Sequence, residues 1–206
     1  MQSIKVSSLD HVELDEILEP NEHLIWSGLP GYGRRFLEAV GDERTIHIAA
    51  LVGVIVMWST LIFIDHEAQF GRTEAIWIYG ALTLAFLGLS VSLASQRQYV
   101  LRNLVYFVTD SRAIICRRGR NWRAGVRVYI VSCPHSGTYP YSLIATRPYP
   151  SLQIGTLLSD DQVQPFGLGL SHPGHSILRD RTTSIVTFDY IPDAQAVLEM
   201  IRSQSH

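Results

Sequence analysis

The sequence predicts a membrane-embedded α-helical hairpin followed by an all-β domain that a C-terminal α-helix caps. Two stretches, residues 46–64 and 75–94, contain no charged residue, and each is long enough as a helix to cross the hydrocarbon core of a bilayer. After residue 104, short runs of β-favouring residues alternate with turn residues, which is typical of antiparallel strands. The last residues of the chain repeat apolar side chains at the spacing of one helical face. These three observations define the expected fold class.

The chain has 206 residues, enough for the hairpin and one compact domain of about 100 residues. We divide it into an N-terminal cytoplasmic segment (1–45), the hairpin (46–94) and a cytoplasmic β-domain (95–206) whose helix covers 193–204. The first segment holds four basic and nine acidic side chains, and the β-domain holds twelve arginines and seven acidic side chains. Opposite net charges attract each other, so we predict that the N-terminal segment packs beside the β-domain.

The distribution of arginine predicts the orientation of the hairpin. The connector between its helices, residues 65–74, has one arginine and three acidic residues. Five arginines flank the helices on the other side: Arg34, Arg35, Arg44, Arg97 and Arg102. Short translocated loops are depleted in Lys and Arg. Both termini are therefore expected on the cytoplasmic side of the cytoplasmic (inner) membrane. The lipid bilayer is the expected partner of the hairpin.

A buried core helix of a soluble protein is the alternative to a membrane span. It is disfavoured because both segments are long, lack a polar stripe and are separated by only ten residues. Small residues recur on one face of each helix, at Ala49 and Gly53 on the first and from Ala81 to Ser92 on the second. Such faces allow close backbone approach. They predict packing of the hairpin on itself, or against a second copy or another membrane protein, and the sequence leaves these options open.

The β-domain is predicted from its β-favouring runs and their interruptions. Six strands are expected: 104–109, 113–116, 126–131, 142–146, 152–158 and 184–189. The expected interruptions are turns at 110–111 and 119–121, a break at 132–137 and a long exposed loop at 162–180. The last helix has an apolar face formed by Ala194, Val197, Leu198 and Ile201. This face should cover an open end or face of the small sheet.

Three motifs stand at intervals along the chain. Residues 18–30 carry a Glu, an apolar pair, Trp-Ser-Gly and a Pro; residues 106–115 place Thr-Asp-Ser-Arg between an aromatic strand and an apolar return strand. Residues 188–194 end a strand and begin the last helix. Together they resemble the bacterial pleckstrin-homology (PH)-like membrane proteins, in which a transmembrane hairpin precedes a PH-like domain.

The resemblance implies a seven-stranded, strongly bent β-sandwich or partial barrel capped by one helix, with a binding or scaffolding role. Residues 137–183 depart from the family's middle hairpins, so the strand order there is not predicted. In the motif at 106–115, Arg112 is expected to bridge back across the pair of strands.

Arginine is concentrated between residues 97 and 127, where Asp110 is the only acidic residue. One interpretation is a surface that meets anionic lipid headgroups of the inner leaflet. The other is a flank that sets membrane orientation, followed by ordinary solvated strand faces. The candidate ligand-binding residues, for a lipid headgroup or a protein partner, cluster around the expected turn: Arg117, Arg118, Arg120 and Arg123.

No metal site is predicted. Zinc ligands could be assembled from Cys133, His135, His172 and His175, but their spacing favours a solvated loop. The two cysteines of the chain, Cys116 and Cys133, are expected to remain reduced thiols, as in a cytosolic compartment. One bridge between them is the alternative that the sequence leaves open.

A non-catalytic protein without a cofactor is predicted, because the chain has no Gly-x-Ser-x-Gly, phosphate-binding loop, His-Glu-x-x-His or dinucleotide fingerprint. Nucleic acid is not an expected partner, since no aromatic strand platform accompanies the arginines. The alternative is an enzyme or regulatory subunit with its chemistry in residues 137–183. A channel or transporter subunit is less favoured, because the only ionisable group among the two apolar segments besides tyrosine is His47, at a helix end.

Overall fold

The computed structural model describes residues 17–64, 71–120, 126–158 and 183–205. Within these residues there are three α-helices, α1 (Asp42–Ser59), α2 (Arg72–Arg102) and α3 (Ala194–Gln204), and one 3-10 turn (Thr60–Phe63) that extends α1. The seven strands are β1 (Leu24–Gly28), β2 (Leu104–Thr109), β3 (Arg112–Arg120), β4 (Val126–Pro134), β5 (Ser142–Ile144), β6 (Ser151–Leu158) and β7 (Thr183–Phe188). They form two antiparallel sheets, in the orders β1-β2-β3-β4 and β5-β6-β7.

The two predicted hairpin helices are confirmed as helices long and apolar enough to cross a membrane. Their large apolar side chains are exposed, including Leu51 at 61% and Leu84 at 70%, which suits contact with lipid and argues against a core helix of a soluble protein. Both helices extend beyond their apolar stretches. With 31 residues, α2 is about 46 Å long, against about 30 Å for a hydrocarbon core.

The helices of the hairpin contact each other near the connector. The indole Nε1 of Trp58 donates to Thr83 Oγ1 at 3.0 Å, and the hydroxyls of Thr60 and Tyr79 lie 2.8 Å apart. The small-residue faces take no part in this packing, because a Cβ added at Gly53 or Gly88 would meet no atom within 4 Å. Packing against a second copy or another protein stays a prediction.

The hairpin is inserted between the first two strands of the larger sheet. β1, which precedes the hairpin, pairs antiparallel with β2, which follows it, with Leu24 opposite Thr109 and Gly28 opposite Tyr106. The N-terminal segment therefore contributes a strand to the β-domain, and the sheet crosses the boundary drawn from the sequence.

The turn at 110–111 separates β2 from β3 as predicted, but β3 and β4 are longer than expected. Gly119 and Arg120, predicted as turn, belong to β3, where Gly119 lies opposite Arg127. The predicted break at 132–137 begins later, because β4 continues to Pro134. A proline is tolerated there, since β4 is an edge strand and Pro134 is its last residue.

The smaller sheet agrees with the predicted strands to within one or two residues. β6 has an irregularity between Gln153 and Gly155. A Cβ added at Gly155 would lie 2.5 Å from Cys133 Sγ, so the missing side chain allows β4 and β6 to approach. The predicted loop at 162–180 lies outside the described residues.

One apolar core joins the two sheets, α3 and the last turn of α2. Tyr106 and Phe188 stack at its centre with ring centroids 4.7 Å apart. The predicted apolar face of α3 is buried there, and so are Val100 and Leu101 of α2. The β-domain is thus built around the end of a membrane-length helix.

Candidate functional site

A buried ion pair lies where the chain leaves the hairpin. Arg97 and Glu43 have no exposed surface, and Arg97 Nε donates to Glu43 Oε2 at 2.7 Å. The guanidinium also donates to three backbone carbonyls: Gly33 and Arg35 at 2.7 Å, and Phe36 at 2.5 Å. A buried guanidinium is tolerated only when a carboxylate and further acceptors satisfy it. Arg97 therefore fastens the segment before α1 to α2, instead of facing the membrane surface as the charge pattern suggested.

Gly33 is required for this arrangement. Its φ of 84° is in the left-handed region, which residues other than glycine rarely adopt. A Cβ at this position would lie 2.4 Å from Leu101 Cδ1 and 3.0 Å from Val40 Cγ1. The backbone can bring its carbonyl to Arg97 because residue 33 has no side chain.

A second charge cluster fastens the N-terminal segment to the turn between β2 and β3. Glu22 accepts hydrogen bonds from Arg112 Nε at 2.9 Å and Nη2 at 2.8 Å, from Thr109 Oγ1 at 2.6 Å and from Ser111 Oγ at 2.8 Å. Arg112 Nη1 lies 2.9 Å from a carboxylate oxygen of Glu19. The Arg112 hydrogen bonds, aided by the two hydroxyls and a backbone N–H, lower the pKa of Glu22 to about 2 against the effect of burial.

The Glu22–Arg112 ion pair confirms the predicted charge pairing between the acidic N-terminal segment and an arginine of the β-domain. The partner of Arg112 differs from the prediction, since its guanidinium reaches Glu19 and Glu22 of the N-terminal segment. Asp110, the acidic residue of the motif at 106–115, instead accepts a hydrogen bond from the backbone N–H of His23 at 3.2 Å. Glu22 becomes a neighbour of Arg112 because β1 pairs with β2.

A cavity of about 730 Å³ lies between the segment before α1 and the connection from β5 to β6. Its lining residues are Tyr32, Ala39, Gly41, Arg44, Ala145, Thr146, Arg147, Pro148 and Tyr190. The rings of Tyr32 and Tyr190 meet edge to face with centroids 6.0 Å apart. Among the described side chains, the lining has two guanidinium groups and no carboxylate, so the cavity suits an anion. Sequence reasoning missed it because the lining comes from three segments far apart in the chain.

The arginines chosen from the sequence occupy different environments. Arg117 lies inside β3 opposite Leu104 and is only 6% exposed, so it is a buried residue in contrast to the surface position expected for it. Arg118 and Arg120 belong to the end of β3, opposite Val128 and Val126. Arg123 lies outside the described residues.

The two thiols are buried and free. Burial raises the pKa of Cys116 to about 12 and that of Cys133 to about 11. Among the described residues, no group of three His, Cys, Asp or Glu side chains could hold a metal ion. His172 and His175 lie outside the described residues, as does much of the 137–183 region in which the alternative chemistry was predicted.

No protein-family model, curated protein or solved structure matches the chain. The class of protein is therefore defined by its own structure: two helices able to cross a membrane are joined without a break to a domain of two antiparallel sheets. The hydrogen bonds of Arg97 to Glu43 and to the segment before α1 lie where these two parts meet.

Proposed function

We propose that the chain is a non-catalytic integral membrane protein of the cytoplasmic (inner) membrane, whose PH-like cytosolic domain is a binding or assembly module at the inner leaflet. The described strands, four in one sheet and three in the other, and the C-terminal helix over the core support this proposal, because the resemblance to bacterial PH-like membrane proteins implies seven strands capped by one helix. Both termini lie in the cytoplasm, in agreement with the arginines that flank the hairpin.

The continuity of α2 carries this proposal. Its apolar stretch ends at Ala94, and Leu101, seven residues later, is fully buried in the core of the β-domain. Seven helical residues span about 10 Å. The domain is thus held close to the membrane surface by a rigid helix, and the Arg97–Glu43 pair fixes it to the other helix of the hairpin. A fixed position at the leaflet suits a module that binds lipid headgroups or assembles with other membrane proteins.

The end of the β3–β4 hairpin is the proposed lipid contact. β3 and β4 continue for three residue pairs beyond the level of Leu104, where β2 begins, which is about 10 Å at the rise of a strand. They extend at the end of the sheet where α2 joins β2. Arg118, Arg120 and Arg123 belong to this end or to the residues that follow it, and each cation near an anionic leaflet contributes about 1 kcal/mol.

The lipids and proteins around the full-length chain test this function. The chain is crosslinked in native membranes, extracted with its surrounding bilayer and analysed for lipid composition and attached proteins. We expect enrichment of anionic lipids over the bulk membrane. The enrichment should be lost when Arg118, Arg120 and Arg123 are changed to Ser, and kept when they are changed to Lys. Arg117 is left unchanged because it is buried. An equal lipid profile in all three proteins, with no reproducible crosslinked partner, would contradict the proposal.

The orientation is tested by labelling with a membrane-impermeant maleimide. Thr73, at the start of α2, and Ser203, near the end of α3, are exposed, whereas both native thiols are buried. In spheroplasts, Thr73→Cys should be labelled directly and Ser203→Cys only after the membrane is disrupted. The reverse pattern would show that the termini are on the opposite side.

A further inference from the structure

We propose that the cavity between the segment before α1 and the β5–β6 connection is a binding site for a phosphate group, supplied by the headgroup of an anionic phospholipid. This site is separate from the β3–β4 hairpin. The assignment of a phospholipid as the source of the phosphate rests on the proposed function, which places the chain in a membrane. The phosphate site itself does not depend on that placement.

The charge of the lining favours a phosphate. Arg44 and Arg147 approach the cavity from its two walls, and within the described part of the chain neither forms an ion pair. The acidic neighbour of Arg44 in the sequence, Glu43, is fully buried and bonded to Arg97. Two guanidinium groups, with no carboxylate among the described lining residues, match the oxygens of a phosphate, which arginine binds in a bidentate manner.

The neutral lining supplies further hydrogen-bonding groups. Tyr32 and Tyr190 bring phenol rings to the cavity. Burial is the largest of the effects that raise the pKa of Tyr190, so its hydroxyl stays protonated at neutral pH and remains a donor. The cavity volume of about 730 Å³ is larger than a phosphate needs and lies within the usual range for a small-molecule site.

The position of the cavity relative to the membrane surface indicates the source of the phosphate. Arg44 lies two residues before Ile46, the first residue of the apolar stretch, which is about 3 Å along the helix axis. The wall formed by Gly41 and Arg44 is therefore at the level of lipid headgroups when α1 crosses the membrane. A soluble phosphoester has the same chemistry, and the experiment includes it.

Binding is measured with the full-length chain in a neutral detergent. The probes are dihexanoyl phosphatidylglycerol, glycerol phosphate and inorganic phosphate. The charge variant is Arg44→Gln/Arg147→Gln. The variant Ala39→Trp fills the cavity without changing its charge. The matched control, Arg35→Gln/Arg102→Gln, removes two exposed charges outside the lining. The thermal melt of each variant establishes that it is folded.

We expect the charge variant and the filled cavity to weaken phosphatidylglycerol binding by about tenfold or more, and the control to stay within about twofold of the wild type. Tighter binding of the lipid than of glycerol phosphate supports the headgroup as the source. Equal binding of both supports the phosphate site with a soluble ligand.

Equal affinities in all four proteins, or an equal loss in the control, would overturn the proposed site. Because Arg118, Arg120 and Arg123 are unchanged in every variant, such a failure would leave the proposed function of the β3–β4 hairpin to its own test.

Discussion

Removing Arg97 should destabilise the protein more than removing any exposed arginine. In Arg97→Leu, the Glu43 carboxylate loses its buried partner, and breaking a buried pair from one side costs about 3–5 kcal/mol. Three carbonyls lose their donor as well, at about 1 kcal/mol for each hydrogen bond. Because such costs are not additive, we expect the free energy of unfolding to fall by about 4 kcal/mol or more.

The measurement is chemical unfolding of the purified full chain in mixed micelles. Arg35→Leu is the control, since the Arg35 side chain is 87% exposed and its ion pair with Glu38 is long at 3.8 Å. The change should cost less than about 1 kcal/mol. The double variant Glu43→Leu/Arg97→Leu should be more stable than Arg97→Leu, because no charge is left buried alone. A loss in Arg97→Leu equal to that of the control, or a double variant no more stable than Arg97→Leu, would refute this reasoning.

Three further predictions follow from local geometry. The pKa of Glu22 falls from 4.5 to about 2 on folding, so the ionised carboxylate stabilises the folded state by at most about 3 kcal/mol. This stabilisation is present above pH 4.5 and is lost as the pH falls towards 2. When the free energy of unfolding is measured as a function of pH, Glu22→Gln should therefore flatten the acidic part of the curve. Gly33→Ala should cost about 1–3 kcal/mol in the same unfolding assay, and an unchanged stability would contradict the assigned backbone constraint. Cys116 and Cys133 should resist maleimide at about pH 7.5 in the folded chain and react in denaturant; rapid labelling of the native protein would show that they are accessible.

The parts of the fold that the sequence predicted are those with a local signal. A charge-free stretch of membrane length has few other stable environments, so both hairpin helices followed from hydropathy alone. The turn at 110–111 and the apolar face of α3 were likewise predicted from the types of a few neighbouring residues. β3 and β4 were predicted too short, because Gly119 and Pro134 are turn signals that a long edge hairpin tolerates.

The parts that could not be predicted depend on contacts between distant residues. Arg97 at a helix end has the same sequence pattern whether it faces lipid headgroups or a buried carboxylate, and Glu43 is 54 residues away. The pairing of β1 with β2 has no sequence signal that spans the hairpin. The cavity depends on this same arrangement, since Arg44 and Arg147 come together only when the segment before α1 packs against the smaller sheet. The arginines between residues 117 and 123 are close together in the sequence, but closeness in sequence does not show that Arg117 is buried inside β3.

The insertion of the hairpin between β1 and β2 has a consequence for biosynthesis. β1 leaves the ribosome first, but its partner follows only after residues 29–103, which include both membrane helices, have been made. We expect β1 to pair with β2 only after both helices have entered the bilayer, because the second helix returns the chain to the side of the membrane on which β1 lies. A nascent chain whose hairpin fails to insert would then present β1 as an unpaired strand.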